Sequence, residues 1–138
     1  MITTESSNVN TFLSSYNIDE NMLKIINAKE DLIQEQVFLF LKEFHSDIVA
    51  YHVPNGGKRG KHEAYKFKKL GVLAGVSDIA IAKPMKGYCG AYIELKKIGG
   101  RLSDMQRDFL NSVKCYYFTA VCSGLIDSLI SIDYYLTC

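Results

Sequence analysis

The sequence predicts an α/β fold (α+β in some classifications) in which a mixed central β-sheet is flanked by helices. The first observation is the order of elements after about residue 28, which runs α, β, short α, β, β, α, β, α. The second is the helical pattern between the last two strands, which implies a crossover connection. The third is size, because 138 residues, 48% of them hydrophobic, suffice for one domain with a real core.

Residues 1–27 are predicted to form an extension that precedes a domain spanning residues 28–138. The extension is polar and weakly patterned, with one short helix expected near residues 19–27. Its apolar content argues against pure disorder. Two arrangements stay open at this point: the extension packs on the domain, or it packs on a second subunit.

The domain begins with a helix over residues 29–44 and a strand over residues 48–53. The helix follows from apolar residues that recur at helical spacing, namely Ile33, Val37, Phe40, Leu41 and Phe44. Pro54 ends the strand, since it cannot donate to a neighbouring strand. The next three residues, Asn55-Gly56-Gly57, allow positive φ angles and can bring backbone N–H groups close to an anion.

Basic residues follow this glycine turn at once. Lys58, Arg59 and Lys61 are suited to contact a sugar-phosphate backbone, which sets register without reading sequence. A flexible, solvated turn is the alternative interpretation. A short helix over residues 63–70 comes next, and its predicted packing residues are Tyr65, Phe67 and Leu70.

Two strands joined by a turn near Lys86 are the most informative stretch of the sequence. In an antiparallel pair with this turn, Asp78 lies opposite Glu94, and Lys96 shares the face of Glu94. Two carboxylates at that distance repel each other unless a cation lies between them. Oxygen ligands of this kind suit Mg²⁺ or Mn²⁺. A surface hairpin with an ordinary Glu-Lys pair is the alternative.

The C-terminal third is predicted to contain a helix, a strand and a closing helix. Ser103 and Gln106 have the spacing of a capping box, and the helix they open presents Met105 and Phe109 as apolar residues. Residues 116–122 are predicted to be a buried-type strand, and the closing helix spans residues 125 to about 136.

Charge distribution and cysteine content restrict the classes of function that the sequence supports. Residues 1–50 carry a net charge of −5 and residues 51–138 a net charge of +6, which suits a phosphate-binding surface on the second part. The four cysteines lack Cys-x-x-Cys spacing and indicate reduced thiols rather than a zinc site or disulfides. The sequence shows no targeting signal and no membrane span, so a cytoplasmic protein of phage or bacterial type is expected.

The sequence resembles the VRR-NUC domain, the virus-type replication-repair nuclease of the PD-(D/E)XK superfamily, over about residues 28–136. Besides Asp78 and Glu94-Leu95-Lys96, three blocks in the family's order carry the resemblance: His52-Val53-Pro54-Asn55-Gly56-Gly57-Lys58-Arg59, Lys69-Leu70-Gly71-Val72-Leu73-Ala74-Gly75-Val76-Ser77-Asp78, and Gly99-Gly100-Arg101-Leu102-Ser103-Asp104-Met105-Gln106. The helix segment Glu30 to Val37 is similar to the family's first helix. One departure is Phe109, where relatives often carry tryptophan.

The resemblance implies a restriction-endonuclease-like PD-(D/E)XK core and a metal-dependent active site. The implied metal ligands are Asp78, Glu94, the Leu95 carbonyl and Glu30, directly or through water, with Glu35 as the competing helix carboxylate. Lys96 would orient or activate the attacking water, and Gln106 would support the site. The expected metal is Mg²⁺, with Mn²⁺ able to substitute. The expected DNA-backbone contacts are Asn55, Gly56, Gly57, Lys58, Arg59, Lys61, Lys97 and Arg101.

The resemblance also implies a substrate and an assembly. Small relatives without extra domains resemble homodimeric enzymes that cut branched DNA, at four-way (Holliday) junctions or flaps, which places the chain in DNA repair. A twofold partner would allow symmetric cutting of a four-way junction. Two alternatives remain open: a non-catalytic DNA-binding module of the same fold, and a restriction-type nuclease.

Overall fold

A four-stranded mixed sheet forms the centre of the computed structural model, which describes residues 6–54 and 60–138. The strands are β1 (Ala50–His52), β2 (Ile79–Ile81), β3 (Ala91–Lys96) and β4 (Phe118–Ser123), and they lie side by side in chain order. The β1–β2 and β2–β3 pairs are antiparallel, whereas β3 and β4 are parallel. The predicted mixed sheet is therefore confirmed, with a helical crossover before its last strand.

Six helices occur in the described residues. They are α1 (Ser7–Ser15), α2 (Glu20–Asn27), α3 (Glu30–Phe44), α4 (Lys61–Lys69), α5 (Asp104–Val113) and α6 (Leu125–Leu136). The helices predicted over residues 29–44 and 125–136 are confirmed. The capping box of α5 is also confirmed, because Ser103 Oγ accepts from the Gln106 N–H while the Gln106 side chain accepts from the Ser103 N–H.

The hydrophobic core lies between one face of the sheet and the helices α3 and α6. Alternate residues of β3, including Ile93 and Leu95, are fully buried in this core. The predicted stripe on α3 supplies much of the opposite wall, and Phe40 has no solvent exposure. The other residues of β3 therefore point to the second face of the sheet, where Tyr92 meets Phe109 of α5 edge to face. This second face carries the polar residues of the strand pair.

The N-terminal region packs on the domain and adds to its core. Val9 and Phe12 of α1 and Ile26 of α2 are buried members of the main apolar cluster. One short helix was expected before residue 28, and the structure contains two. The sequence signal for α1 is weak because its burial depends on α6, at the other end of the chain. Asp133 of α6 accepts hydrogen bonds from Ser6 and Asn8.

Two burial predictions are wrong. In α4 no described residue is buried, and the expected packing residues Tyr65 and Leu70 are 63% and 69% exposed. In β4 only Cys122 is fully buried, because this strand forms an edge of the sheet. Apolar sequence predicts packing only where another layer covers the element. Within residues 6–54 and 60–138, no helix is long and apolar enough to cross a membrane.

Candidate active site

The register of β2 and β3 agrees with the arrangement predicted from the sequence. Ile79 pairs with Ile93, and Ile81 pairs with Ala91. Continuing this register by one residue places Asp78 opposite Glu94 at the end of β2. The turn is centred on Lys86, whose φ of 52° is compatible with a tight reversal of the chain. The two carboxylates therefore lie on adjacent strands at the same level.

Strand alternation directs Glu94 and Lys96 to the second face of the sheet, away from the apolar core. Both are buried there, at 1% and 7% exposure, and Lys96 Nζ lies 3.5 Å from Glu94 Oε1. Asp78 is anchored differently, since one of its carboxylate oxygens accepts a 2.8 Å hydrogen bond from the Leu95 N–H. This bond links the end of β2 to β3 and holds the Asp78 side chain beside Glu94.

Gln106 both caps α5 and contacts the buried charged residues. Its Nε2 donates to Glu94 Oε1 at 2.8 Å, and its Oε1 accepts from Lys96 Nζ at 3.1 Å. The same Oε1 accepts from the Ser103 N–H at 2.9 Å. Helix capping alone would explain Gln106 in the sequence. In the structure, Gln106 caps α5 and contacts Glu94 and Lys96 at the same time. The start of α5 is thereby tied to the strand pair.

Gly75 allows this close approach of α5. Its φ is +87°, and a Cβ at this position would lie 2.4 Å from the Met105 carbonyl oxygen. A side chain here would both strain the backbone and push the loop before β2 away from α5. A cleft of about 220 Å³ remains beside this contact, and its lining includes Asp78, Ser103 and Gln106.

Glu94 is the least satisfied polar group of the site. Its Oε2 and the Ser77 hydroxyl are the two buried side-chain polar atoms without a hydrogen-bond partner in the part of the chain that the structure describes. Burial and the nearby Asp78 carboxylate raise the pKa of Glu94 to about 8, although Lys96 acts in the opposite direction. Buried polar atoms normally find partners, so an orphaned carboxylate oxygen indicates a missing one.

A divalent cation would serve as the missing partner of this carboxylate oxygen. The available oxygens are those of Asp78 and Glu94, together with the Leu95 carbonyl. In an antiparallel pair the N–H and C=O of one residue point to the same strand edge, so this carbonyl shares the edge at which the Leu95 N–H meets Asp78. The Lys96 carbonyl, in contrast, accepts from the Gly124 N–H on the β4 side. Hard oxygen ligands of this kind suit Mg²⁺ or Mn²⁺.

Glu30 approaches the site without joining the carboxylate pair. Its Oε1 lies 3.9 Å from Lys96 Nζ, and its side chain is 42% exposed. Across the two described ranges, no three His, Cys, Asp or Glu side chains come together closely enough to hold a metal ion. Glu35, the competing residue of α3, is exposed. The geometry therefore favours Glu30 over Glu35, in a role that acts through water or through Lys96.

The expected DNA contacts fall into two groups. Asn55, Gly56, Gly57, Lys58 and Arg59 lie outside the described residues. The others, Lys61, Lys97 and Arg101, are exposed and therefore accessible to a large polyanion.

His52 contributes a contact that the sequence did not identify. Its Nδ1 lies 2.7 Å from the Asp78 carbonyl oxygen, and the neighbouring Val53 N–H donates to the same atom at 3.0 Å. Both contacts position the backbone of Asp78. From the sequence, His52 could face the site, although a histidine in a strand is more often structural than catalytic.

A mixed sheet with helices on both faces, and a carboxylate pair and lysine at the end of its central strands, has the architecture of the PD-(D/E)XK nucleases. The model of the VRR-NUC domain matches residues 14–124, so the chain belongs to the VRR-NUC family of nuclease domains. A solved structure described as a VRR_NUC domain protein superposes with a TM-score of 0.68 at 28% sequence identity. The match covers 78% of this chain and 88% of that one. No curated protein matches the chain.

Proposed function

We propose that this nuclease domain is a metal-dependent endodeoxyribonuclease that hydrolyses phosphodiester bonds in branched DNA. The single observation that carries the proposal is the orphaned Oε2 of Glu94, which is buried beside Asp78 with no donor among the described residues. Most buried side-chain polar atoms have a hydrogen-bond partner. This carboxylate instead keeps one oxygen for a partner that the described residues do not supply.

Asp78, Glu94 and the Leu95 carbonyl would hold one or two Mg²⁺ ions, with Mn²⁺ able to substitute. When bound, the metal supplies Lewis-acid polarisation of the scissile phosphate and lowers the pKa of a water ligand. The Asp78 carboxylate is already oriented by the Leu95 N–H, so little reorganisation is needed at this position. Glu30 would contribute through water from the exposed side of the site.

Lys96 would orient the attacking water and offset negative charge on the phosphate. Its ammonium group is held by Gln106 at 3.1 Å and faces Glu94 at 3.5 Å, with Glu30 at 3.9 Å. These contacts keep the cation in one place, and a fixed charge needs no rearrangement when the transition state forms. Gln106 is a positioning residue in this scheme.

Labelled DNA tests the proposal directly. Continuous duplex, flap, splayed-arm and four-way substrates are incubated with the native chain and Mg²⁺, Mn²⁺ or EDTA, beside Asp78→Ala and Lys96→Ala. We expect cleavage of branched substrates by the native chain with either metal, and none in EDTA or in the variants. Cleavage that survives both substitutions would refute the site assignment. DNA binding without cleavage would favour a non-catalytic module.

We further propose that the enzyme acts as a homodimer in the cytoplasm, in DNA repair. A twofold pair of active sites suits symmetric cutting of a four-way junction. The free state of Cys89, Cys115, Cys122 and Cys138 is consistent with a reducing compartment. Native mass spectrometry is expected to show a dimer at micromolar concentration. A monomer alone would remove the dimeric junction-cutting version of the proposal and leave the metal site untouched.

A further inference from the structure

A second, larger cavity lies next to the active-site cleft, between α4 and α5. Its volume is about 770 Å³. One wall is formed by Ala64, Phe67 and Lys68, which share a face of α4, and Phe109 contributes to the α5 wall. We call this cavity the α4–α5 groove. Nothing in the catalytic arrangement of Asp78, Glu94 and Lys96 uses it.

The α4–α5 groove borders the cleft that contains Asp78. Ala74 and Met105 line both of them. A strand whose phosphate lies beside Asp78 and Gln106 would therefore have its neighbouring nucleotides at the mouth of the groove. The site and the groove form one extended surface along the start of α5.

Apolar side chains of the groove are unusually accessible. Leu73 is 60% exposed and Met105 is 59% exposed, while Val72 is 41% exposed. Contiguous exposed apolar surface is costly in water and typically marks a binding surface. Phe67 and Phe109 also line the groove and supply aromatic surface within it.

The charge beside this apolar surface indicates the chemistry of the occupant. Helix α4 carries four lysines, Lys61, Lys66, Lys68 and Lys69, against one acid, Glu63. Lys61 precedes Ala64 and Lys68 by about one and two turns, so it lies on the groove side of the helix. Asp108 on the α5 wall is the opposing charge. Lys68 at the groove, with Lys61 on the same side of α4, places positive charge beside apolar and aromatic walls, which complements a polyanion that exposes flat apolar faces.

We propose that the α4–α5 groove binds the unpaired bases of the DNA strand that passes through the active-site cleft. A continuous duplex stacks its bases inside the helix and offers the groove only phosphates, whereas a splayed or gapped strand offers base faces as well. The inference rests on the proposed nuclease function and deepens it, because the groove would supply the preference for branched over continuous DNA.

Leu73→Glu tests the groove, and Leu70→Glu is its matched control. Leu73 is 60% exposed and Leu70 is 69% exposed, and both substitutions add the same charge. Of the two, only Leu73 lines the groove. Binding is measured by fluorescence anisotropy in EDTA, which prevents cleavage, on splayed-arm DNA and on a duplex of equal length. Loss of even one stacked base corresponds to at least about a fivefold loss of affinity.

We expect Leu73→Glu to weaken splayed-arm binding at least about fivefold more than Leu70→Glu does, while the two variants bind duplex alike. Lys68→Gln should resemble Leu73→Glu, and Lys66→Gln, on another side of α4, should not. Equal effects of Leu73→Glu and Leu70→Glu on both substrates would overturn the inference. So would a change in native mass with no substrate-dependent effect, which would assign the groove to a second copy of the chain.

The two proposals fail separately. If the native chain cleaves none of the substrates with Mg²⁺ or Mn²⁺ yet binds splayed DNA in a Leu73-dependent way, the nuclease proposal fails and the groove inference stands. If the native chain cleaves branched DNA and Leu73→Glu behaves as Leu70→Glu does, the groove inference fails alone.

Discussion

Two buried carboxylates, Glu94 and Asp133, differ in how fully their oxygens are hydrogen-bonded. Asp133 lies on α6 and accepts from Ser6 Oγ at 2.6 Å and Asn8 Nδ2 at 3.0 Å, with His45 Nε2 at 2.9 Å. Burial alone would raise the pKa of Asp133, but the three partners outweigh it and lower the pKa. Glu94 is similarly buried, yet one of its oxygens has no partner within residues 6–54 and 60–138, and its pKa is raised.

The difference is the one expected between a carboxylate that stabilises the fold and one that binds a cation. Each hydrogen bond to the charged form of a carboxylate favours ionisation, so Asp133 stabilises the folded chain as an anion. Burial near a second carboxylate disfavours ionisation, so Glu94 as an anion costs stability until a cation arrives. Asp133 therefore joins distant segments of the chain, whereas Glu94 keeps one carboxylate oxygen available for a cation.

The largest expected effect is on cleavage, from Glu94→Gln. The neutral amide is a poor ligand for a hard cation, so cleavage of branched DNA should fall on the order of 10²–10³-fold or more. Folding should be retained, since the amide keeps the size of the side chain and removes its repulsion with the Asp78 carboxylate. Initial rates with Mg²⁺ and a urea unfolding curve in EDTA are the measurements. A variant that cleaves at the native rate would show that Glu94 is structural.

The next effect is on stability, from Asp133→Ala. Ser6, Asn8 and His45 would lose their common acceptor, and the free energy of unfolding should fall by about 2–4 kcal/mol. Cleavage below the unfolding temperature should remain near the native rate, because this cluster does not touch the active site. Urea unfolding and initial rates measured on the same preparation check both parts. Lost cleavage in a folded variant would mean that the two regions are coupled.

A smaller effect distinguishes the two acids of α3. Glu30→Gln should reduce cleavage by about 10–100-fold, the range typical of groups that orient a metal site from outside its ligand shell. Glu35→Gln is the matched control and should leave the rate unchanged. Initial rates with saturating Mg²⁺ decide between them. The reverse result would make Glu35 the helix carboxylate of the site.

The last expected effect is a pH dependence of stability in the metal-free protein, which is spread over several pH units. The pKa of Glu94 is about 8 when folded, against an ordinary 4.5, so the unfolded chain releases this proton first as pH rises. Glu94 therefore lowers stability progressively between about pH 4.5 and pH 8, and not further above. Asp133 has the opposite sign: its lowered pKa gives stability that is present above 3.8 and is lost as pH falls through its folded pKa.

Urea unfolding in EDTA at pH 5, 6.5 and 8 measures this dependence, with Glu94→Gln as the reference. The native chain should lose stability relative to the variant at each step up in pH. A difference that stays constant or changes in the other direction would contradict the raised pKa of Glu94.

The β2–β3 pair shows what local sequence patterns can predict. The turn near Lys86 and strict alternation along β3 are local, and they correctly predicted both the opposition of Asp78 and Glu94 and the shared face of Lys96. Helix α4 shows where the same reasoning stops. Tyr65 and Leu70 were predicted to be packing residues, but both are largely exposed.

Local sequence patterns were enough to predict the mixed sheet, most of the helices and the register of the candidate metal pocket, because periodicity and turn chemistry act between near neighbours in the chain. Only the tertiary structure decided that α1 anchors to Asp133, 127 positions from Ser6, and that Gln106 reaches Glu94 while still capping α5. It also revealed the α4–α5 groove. These features depend on which segments pack together, and burial and pairing between distant residues are properties of the folded chain alone.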